Sequence, residues 1–234
     1  MYREVCGGIL RLKIVEYNKT MKDIKCVIFD CDGVLVDSEH VSNDILYTMA
    51  CEQGYTMGKE KVMREFAGRS LQQCLSMIES SIGKTLPPEF VPTFREKTFH
   101  YFRTDLKAIT GVHDFIDTLT HDYCVASSGP IEKMNITLST TGLIEKFRNK
   151  MYSSYQINSW KPDPDIFLHA AKEMGYAINE CIIIEDSRAG VMAGVKGGFK
   201  VFGYAASGNA DELANEGAEV FYDFKELQGK LKTG

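Results

Sequence analysis

No apolar run in this 234-residue chain approaches the length of a bilayer span, which takes about 18 residues or more. The sequence therefore suggests no membrane partner. A basic excess is also missing. The 27 Lys and Arg face 32 Asp and Glu, for a formal charge of −5 and a pI near 5.6, which argues against a nucleic-acid partner. The seven cysteines, at positions 6, 26, 31, 51, 74, 124 and 181, are odd in number and scattered. They do not form a disulfide framework, and several sit in apolar runs where Cys serves as a small core residue. Reduced thiols in a cytoplasm are expected. Residues 1–20 are not expected to act as a secretory h-region, since Arg11, Lys13 and Glu16 interrupt the apolar residues there. Repeats and low-complexity tracts are absent.

Several well-known catalytic patterns are missing too. Gly83-Lys84-Thr85 ends like a phosphate-binding P-loop, but the earlier glycine it needs would fall at Ile78. Gly190, Gly194 and Gly197 do not make GxGxxG, and small residues at that spacing serve close helix packing. The five histidines show no HExxH spacing, and no serine sits in GxSxG. What remains is 44% hydrophobic and 25% charged, the balance of an ordinary globular protein large enough for one large domain or two modest ones.

The most informative stretch is CVIFDCDGVLVDSE, Cys26 to Glu39. A short run of strand formers, Cys26-Val27-Ile28-Phe29, stops at two aspartates one residue apart, Asp30 and Asp32, and then Gly33. Strands that end in carboxylates deliver them to the crevice where α/β sheets bind ligands. The plain alternative is an acidic turn. Cys31, between the two, alternates to the opposite face and is expected in the core.

Residues 1–20 read as an N-terminal extension, with Met21 a candidate native start and a possible short strand at 9–15. From 37 to 106 the pattern is helical. A helix capped by Asp37 or Ser38 runs until Gly54, and further helices are expected at 59–66, 70–80 and 88–104. From Thr110, helices alternate with short apolar strands at 123–126, 151–154, 181–184 and 200–202. Asp163 is read as the cap of a helix with Pro164 in its first turn. The expected architecture is a doubly wound parallel α/β sheet, Rossmann-like, from 21–36 and 107–234, with a helical cap domain of 37–106 inserted.

If the sheet is parallel, polar groups at several strand ends meet along one edge. These are Asp30 and Asp32, then Ser127, then Glu185 and Asp186, with Lys161 just before a helix. Carboxylates gathered so closely need a cation, and oxygen ligands without a Cys or His pattern suit Mg²⁺. A metal, a lysine, a hydroxyl and free amides make a phosphate site. One carboxylate can attack phosphorus, and a second, two residues on, can move the leaving-group proton.

In order and spacing, the DxDG[VT]LxDS pattern at Asp30–Ser38, the strand-end Ser127, Lys161 in KPDPDIF and the EDS at 185–187 resemble the haloacid dehalogenase superfamily. The likeness spans nearly everything from Met21, and the helical insertion resembles the helical-cap class. The SSGP turn and WKPDPDIF are most similar to its 6-phosphogluconate phosphatase type of sugar-phosphate phosphatase. The resemblance implies Asp30 as the phosphorylated nucleophile and Asp32 as acid and then base. It makes Ser127 a phosphoryl-binding hydroxyl and Lys161 the charge neutraliser. Mg²⁺ would sit on Asp30, Asp32 and Asp186, with Glu185 either a ligand or a neighbour through water. Ser128 and Gly129 are expected to bind substrate. Arg69, in a Gly68-Arg69-Ser70 segment like the cap segment that faces the site in related enzymes, reads either as a reader of a substrate carboxylate or second phosphate, or as a solvated arginine.

The expected substrate is a small phosphorylated metabolite, and the protein a monomer or weak homodimer. Two other readings are a β-phosphoglucomutase-like phosphomutase and a non-catalytic phosphosugar-binding protein. Ser42 stands where those mutases carry histidine. Asp32 argues against a true dehalogenase, and the full acidic set with Lys161 argues against mere binding.

Overall fold

The computed structural model describes residues 23–66 and 71–232. Six strands form one all-parallel sheet: β1 Cys26–Phe29, β2 Asp122–Ser127, β3 Met151–Ser153, β4 Cys181–Glu185, β5 Lys200–Tyr204 and β6 Glu219–Phe221. Their order is β3-β2-β1-β4-β5-β6. The first strand of the chain is thus central, and the winding reverses beside it, which is where doubly wound sheets open a crevice. Phe29 lies level with Val125 on one side and Ile184 on the other. Asp30, Ala126 and Glu185 are therefore brought to one level at the carboxyl edge.

β1 is buried throughout, as expected of a parallel strand covered on both faces. Its side chains alternate between two cores. Val27 and Phe29 join Phe115, Phe147 and Phe224, carried by α5 Val112–Thr118, α7 Ile144–Phe147 and α12 Phe224–Lys232, with α6 Ile131–Thr140 beside them. Cys26 and Ile28 join Phe167, Val191 and Leu213, from α9 Asp165–Met174, α10 Arg188–Lys196 and α11 Ala210–Asn215. A four-residue helix, α8 Ser154–Ile157, follows β3 directly. Cys31 continues the first core, as its alternation predicts.

Between β1 and β2 lie α1 Ser38–Glu52, α2 Lys59–Phe66, α3 Leu71–Ile82 and α4 Phe90–Thr104. They form the cap around an apolar core of their own that includes Leu46, Val62, Phe66, Ile78 and Phe94. The outgoing and returning chains are tied together where they cross: Asp37 N–H donates to Lys107 O (3.0 Å) and Ile109 N–H to Leu35 O (3.0 Å). At its far end α4 dips into the sheet core through Phe102.

Some local expectations give way. Asp37 holds the N-cap position of α1 but makes no capping hydrogen bond, and the Ser38 hydroxyl turns instead to Asp32. Asp163 does not cap α9, whose N-cap is Pro164. The helix expected from 88 starts at Phe90. β6, α11 and α12 have no counterpart in the sequence reading, because their short apolar stretches show no sustained period. The extension at 1–20, its possible strand and Met21 lie outside the described residues.

Candidate active site

β1 ends in a turn that packs acids tightly. Asp30 N–H donates to Ile184 O (2.9 Å), and Leu35 N–H returns to Cys31 O (3.0 Å). Gly33 takes φ +82°, and a Cβ there would lie 1.9 Å from Asp186 Oδ2. Only glycine suits both the left-handed backbone and that approach. The turn after β1 and the carboxylate after β4 are therefore packed face to face.

Lys161 reaches this edge from the loop before α9. Its ammonium donates to Asp30 Oδ1 and to Glu185 Oε1 (2.6 Å), with Ala126 O at 3.5 Å. It also lies 4.8 Å from the Phe167 ring centroid. Burial alone would lower its pKa, but Asp30 and Glu185 outweigh that and raise it. The ammonium is held charged. Glu185 is committed on both oxygens, since Oε2 accepts from Ser187 N–H (2.8 Å) and Oγ–H (2.9 Å).

Asp30 and Glu185 share that single ammonium with the half-buried Asp186 close by, and the imbalance shows in the titration of Asp30 and Asp186. Burial, then Glu185 and Asp32, push Asp30 up to about 7 against the pull of Lys161. Asp186 is raised well above the usual carboxylate range by burial and then by Glu185, Asp30 and Glu39. Such a donor set fits a divalent cation, whose charge would favour the ionised acids. Among the described residues no three metal-binding side chains converge into a finished cage.

Asp32 has different partners. Lys133 Nζ lies 2.8 Å from Oδ1, and the Ser38 hydroxyl donates to the same oxygen. Burial would raise the Asp32 pKa, but the Lys133 charge and both hydrogen bonds overcome it and hold the group below its ordinary value. Lys133 also sits 5.6 Å from the Phe102 ring at the end of α4. Sequence reasoning missed this residue. One local signal was available: Lys133 is the third residue of α6, where the helix dipole disfavours a cation unless something else holds it.

Ser127 is buried at the end of β2, and its Oγ accepts from Gly129 N–H (3.0 Å). Ser153 Oγ–H ties Gly129 O (2.7 Å) and so holds the turn. A Cβ on Gly129 would come within 3.9 Å of Asp32 Oδ2, so the Ser127-Ser128-Gly129 turn lies beside the acid. Ser128 is half-buried there. Asp30, Asp32, Ser127, Ser128, Gly129, Lys161, Glu185 and Asp186 are thus brought to one edge, and Arg69 lies outside the described residues. Two cavities open between cap and sheet. One of about 450 Å³ touches Gly33, Glu39, His40 and Asp186. The other, about 520 Å³, touches Asp32, Ser38, Lys133, Arg95 and Tyr155.

The family model of the haloacid dehalogenase-like hydrolases matches residues 27–204. The 6-phosphogluconate phosphatase of Escherichia coli (strain K12) is 33% identical over 208 residues, covering 88% of this chain and 94% of that protein. A haloacid dehalogenase-like protein of Agrobacterium tumefaciens str. C58 superposes with a TM-score of 0.82 at 29% identity, over 89% of this chain and 98% of that one. A HAD family hydrolase of Deinococcus radiodurans R1, solved with bound phosphate and sodium, gives a TM-score of 0.79 at 25% identity, over 90% and 96%.

Proposed function

This chain belongs to the haloacid dehalogenase-like hydrolases and hydrolyses phosphate esters, and from that premise we propose a Mg²⁺-dependent phosphatase of small sugar phosphates such as 6-phosphogluconate. The observation that carries the reading is the buried Lys161 ammonium shared between Asp30 and Glu185 at the switch point of the sheet. A charge so placed neutralises both a carboxylate nucleophile and an incoming phosphate. The E. coli relative, named for 6-phosphogluconate, supports the substrate class.

In the first half-reaction an Asp30 oxygen attacks phosphorus and the ester P–O bond breaks. Asp32, which takes up a proton from solvent as the substrate binds, gives that proton to the leaving alkoxide. The phosphate's own negative charge competes for Lys133, which otherwise keeps Asp32 ionised. In the second half-reaction Asp32, again a carboxylate, takes a proton from water. The water oxygen attacks phosphorus, the Asp30–P bond breaks, and inorganic phosphate leaves. The Ser127 hydroxyl, fixed by the Gly129 N–H, and the Ser128 amide hold phosphoryl oxygens. The Asp30 and Asp186 carboxylates and the Asp32 backbone carbonyl would hold Mg²⁺, with Glu185 positioning Lys161 beside them. When bound, the ion offsets the repulsion between Asp30 and a phosphate dianion.

Ser42, where a phosphomutase of the β-phosphoglucomutase type would carry histidine, donates its hydroxyl to Ser38 O (2.8 Å). This favours transfer to water over transfer to sugar. The acidic chain and its mostly buried free thiols suit a cytoplasmic enzyme, monomeric or weakly dimeric, acting on metabolites. The test is phosphate release from a panel of phosphorylated metabolites with Mg²⁺. Asp30→Asn should reduce turnover at least about 10³-fold while leaving the melting temperature near that of the parent. Substantial residual turnover would remove Asp30 from the nucleophile role.

A further inference from the structure

The larger cavity runs away from the chemistry along two helices. From α1 it is lined by Ser38, Ser42, Asn43 and Leu46, and from α4 by Phe94, Arg95, Thr98, Phe99 and Phe102. Each set follows the three- and four-residue spacing of one helix face. Ser38 bonds to Asp32, and Phe102 lies beside Lys133, so these two residues mark the reacting end. Arg95 precedes Phe102 by seven residues, about two full turns, which places its backbone about 10 Å further along the helix.

The cations of the cavity differ in how they are occupied. Lys133 is held by Asp32. Among the described residues Arg95 makes no ion pair, and the Asn43 amide makes no side-chain hydrogen bond. The cavity's further carboxylates, Glu39 and Glu132, sit in the first turns of α1 and α6, at the reacting end. Leu46, Leu71 and Cys74 give the cavity apolar walls, and Arg95 is exposed.

We propose that Arg95 is the specificity residue of this site and receives a carboxylate at the far end of the leaving group. The substrate class is then a terminally phosphorylated sugar acid. The inference deepens the phosphatase reading and takes the orientation of the phosphate from it. An extended chain advances about 1.2 Å per bond. The rise of about 10 Å between the Phe102 and Arg95 backbone positions is on the order of eight bonds, the count from phosphorus through six carbons to a carboxylate oxygen. The guanidinium fork matches a carboxylate with two parallel hydrogen bonds. Asn43, between the two ends, is placed to meet hydroxyls. A neutral polyol phosphate of equal length would leave Arg95 without an anion.

Binding tests this apart from turnover. In an Asp30→Asn background with Mg²⁺, calorimetry compares 6-phosphogluconate with glucitol 6-phosphate, which carries CH₂OH in place of the carboxylate. The expected preference for the acid is at least about tenfold, falling to about threefold or less on adding Arg95→Ala, with Arg95→Lys between the two. Equal binding of the two ligands in Asp30→Asn overturns the proposal, as does a preference that survives Arg95→Ala in a protein with a parental melting curve. An Arg95-dependent preference in a chain whose wild type releases no phosphate would retire the phosphatase reading and leave this one standing.

Discussion

Lys161 and Lys133 divide the labour at the scale of single residues. Lys161 is almost fully buried, with 6% of its side chain exposed, between two acids. Removing it would leave two buried carboxylates without a counter-charge, a loss typically worth about 3–5 kcal/mol. Lys133 keeps 24% of its side chain exposed, as does its partner Asp32, so solvent screens that pair and its worth to stability is small. Its value lies in placing the Asp32 carboxylate. Lys133→Met is therefore expected to cut kcat by about 10- to 100-fold, at or below the lower end of a full general acid–base contribution because Asp32 itself remains, while moving the melting temperature little. Steady-state kinetics beside a thermal melt would check this. A large drop in stability with kcat intact would show that the residue serves the fold alone.

Among the elements, α10 and β4 show how close packing serves the site. Ser187 caps α10 by accepting from Gly190 N–H (3.1 Å), and the same hydroxyl donates to Glu185. A Cβ on Gly190 would lie 1.7 Å from Glu185 Oε1, the oxygen that holds Lys161. Alanine in a helix interior gains about 1 kcal/mol over glycine. Overpacking beside a fixed carboxylate costs about 1–3 kcal/mol, and here the second effect should win. Gly190→Ala is expected to be net destabilising by about 1–2 kcal/mol and to lower activity by displacing Glu185 from Lys161. A chemical denaturation curve at or above the parent midpoint would refute it.

Over the whole molecule, acids drawn from both sides of the switch point meet in one place. Asp30 is raised by burial and then by Glu185 and Asp32, and Asp186 by burial and then by Glu185 and Asp30, so a cation that binds only the folded chain should stabilise it. After EDTA treatment, Mg²⁺ at about 100 times its Kd is expected to add about 2.7 kcal/mol. For a chain of this size each kcal/mol is worth about 2–4 °C in melting temperature. Asp186→Asn should abolish that rise, and EDTA should silence turnover until Mg²⁺ is restored. A melting temperature indifferent to Mg²⁺ would remove the metal from these residues.

Local pattern sufficed for much of the architecture. The β1 run, the apolar stretch Cys181–Ile184, the alternation of strands with helices and the helical block after Ser38 are all short-range signals, and each became the element expected. So did the polar strand ends, because a parallel sheet carries every carboxyl end to one edge. Short elements were not legible. β6, with three residues, and α11, with six, exist because neighbours cover them, and their own sequence has too little period to announce them. The pairing of Asp32 with Lys133, 101 positions apart in the numbering, and the placing of Arg95 in the cleft with Asp32 were decided only by tertiary structure. Side chains that meet across a sheet edge and a cap do so through the summed geometry of every intervening turn, and no local window of sequence contains that sum.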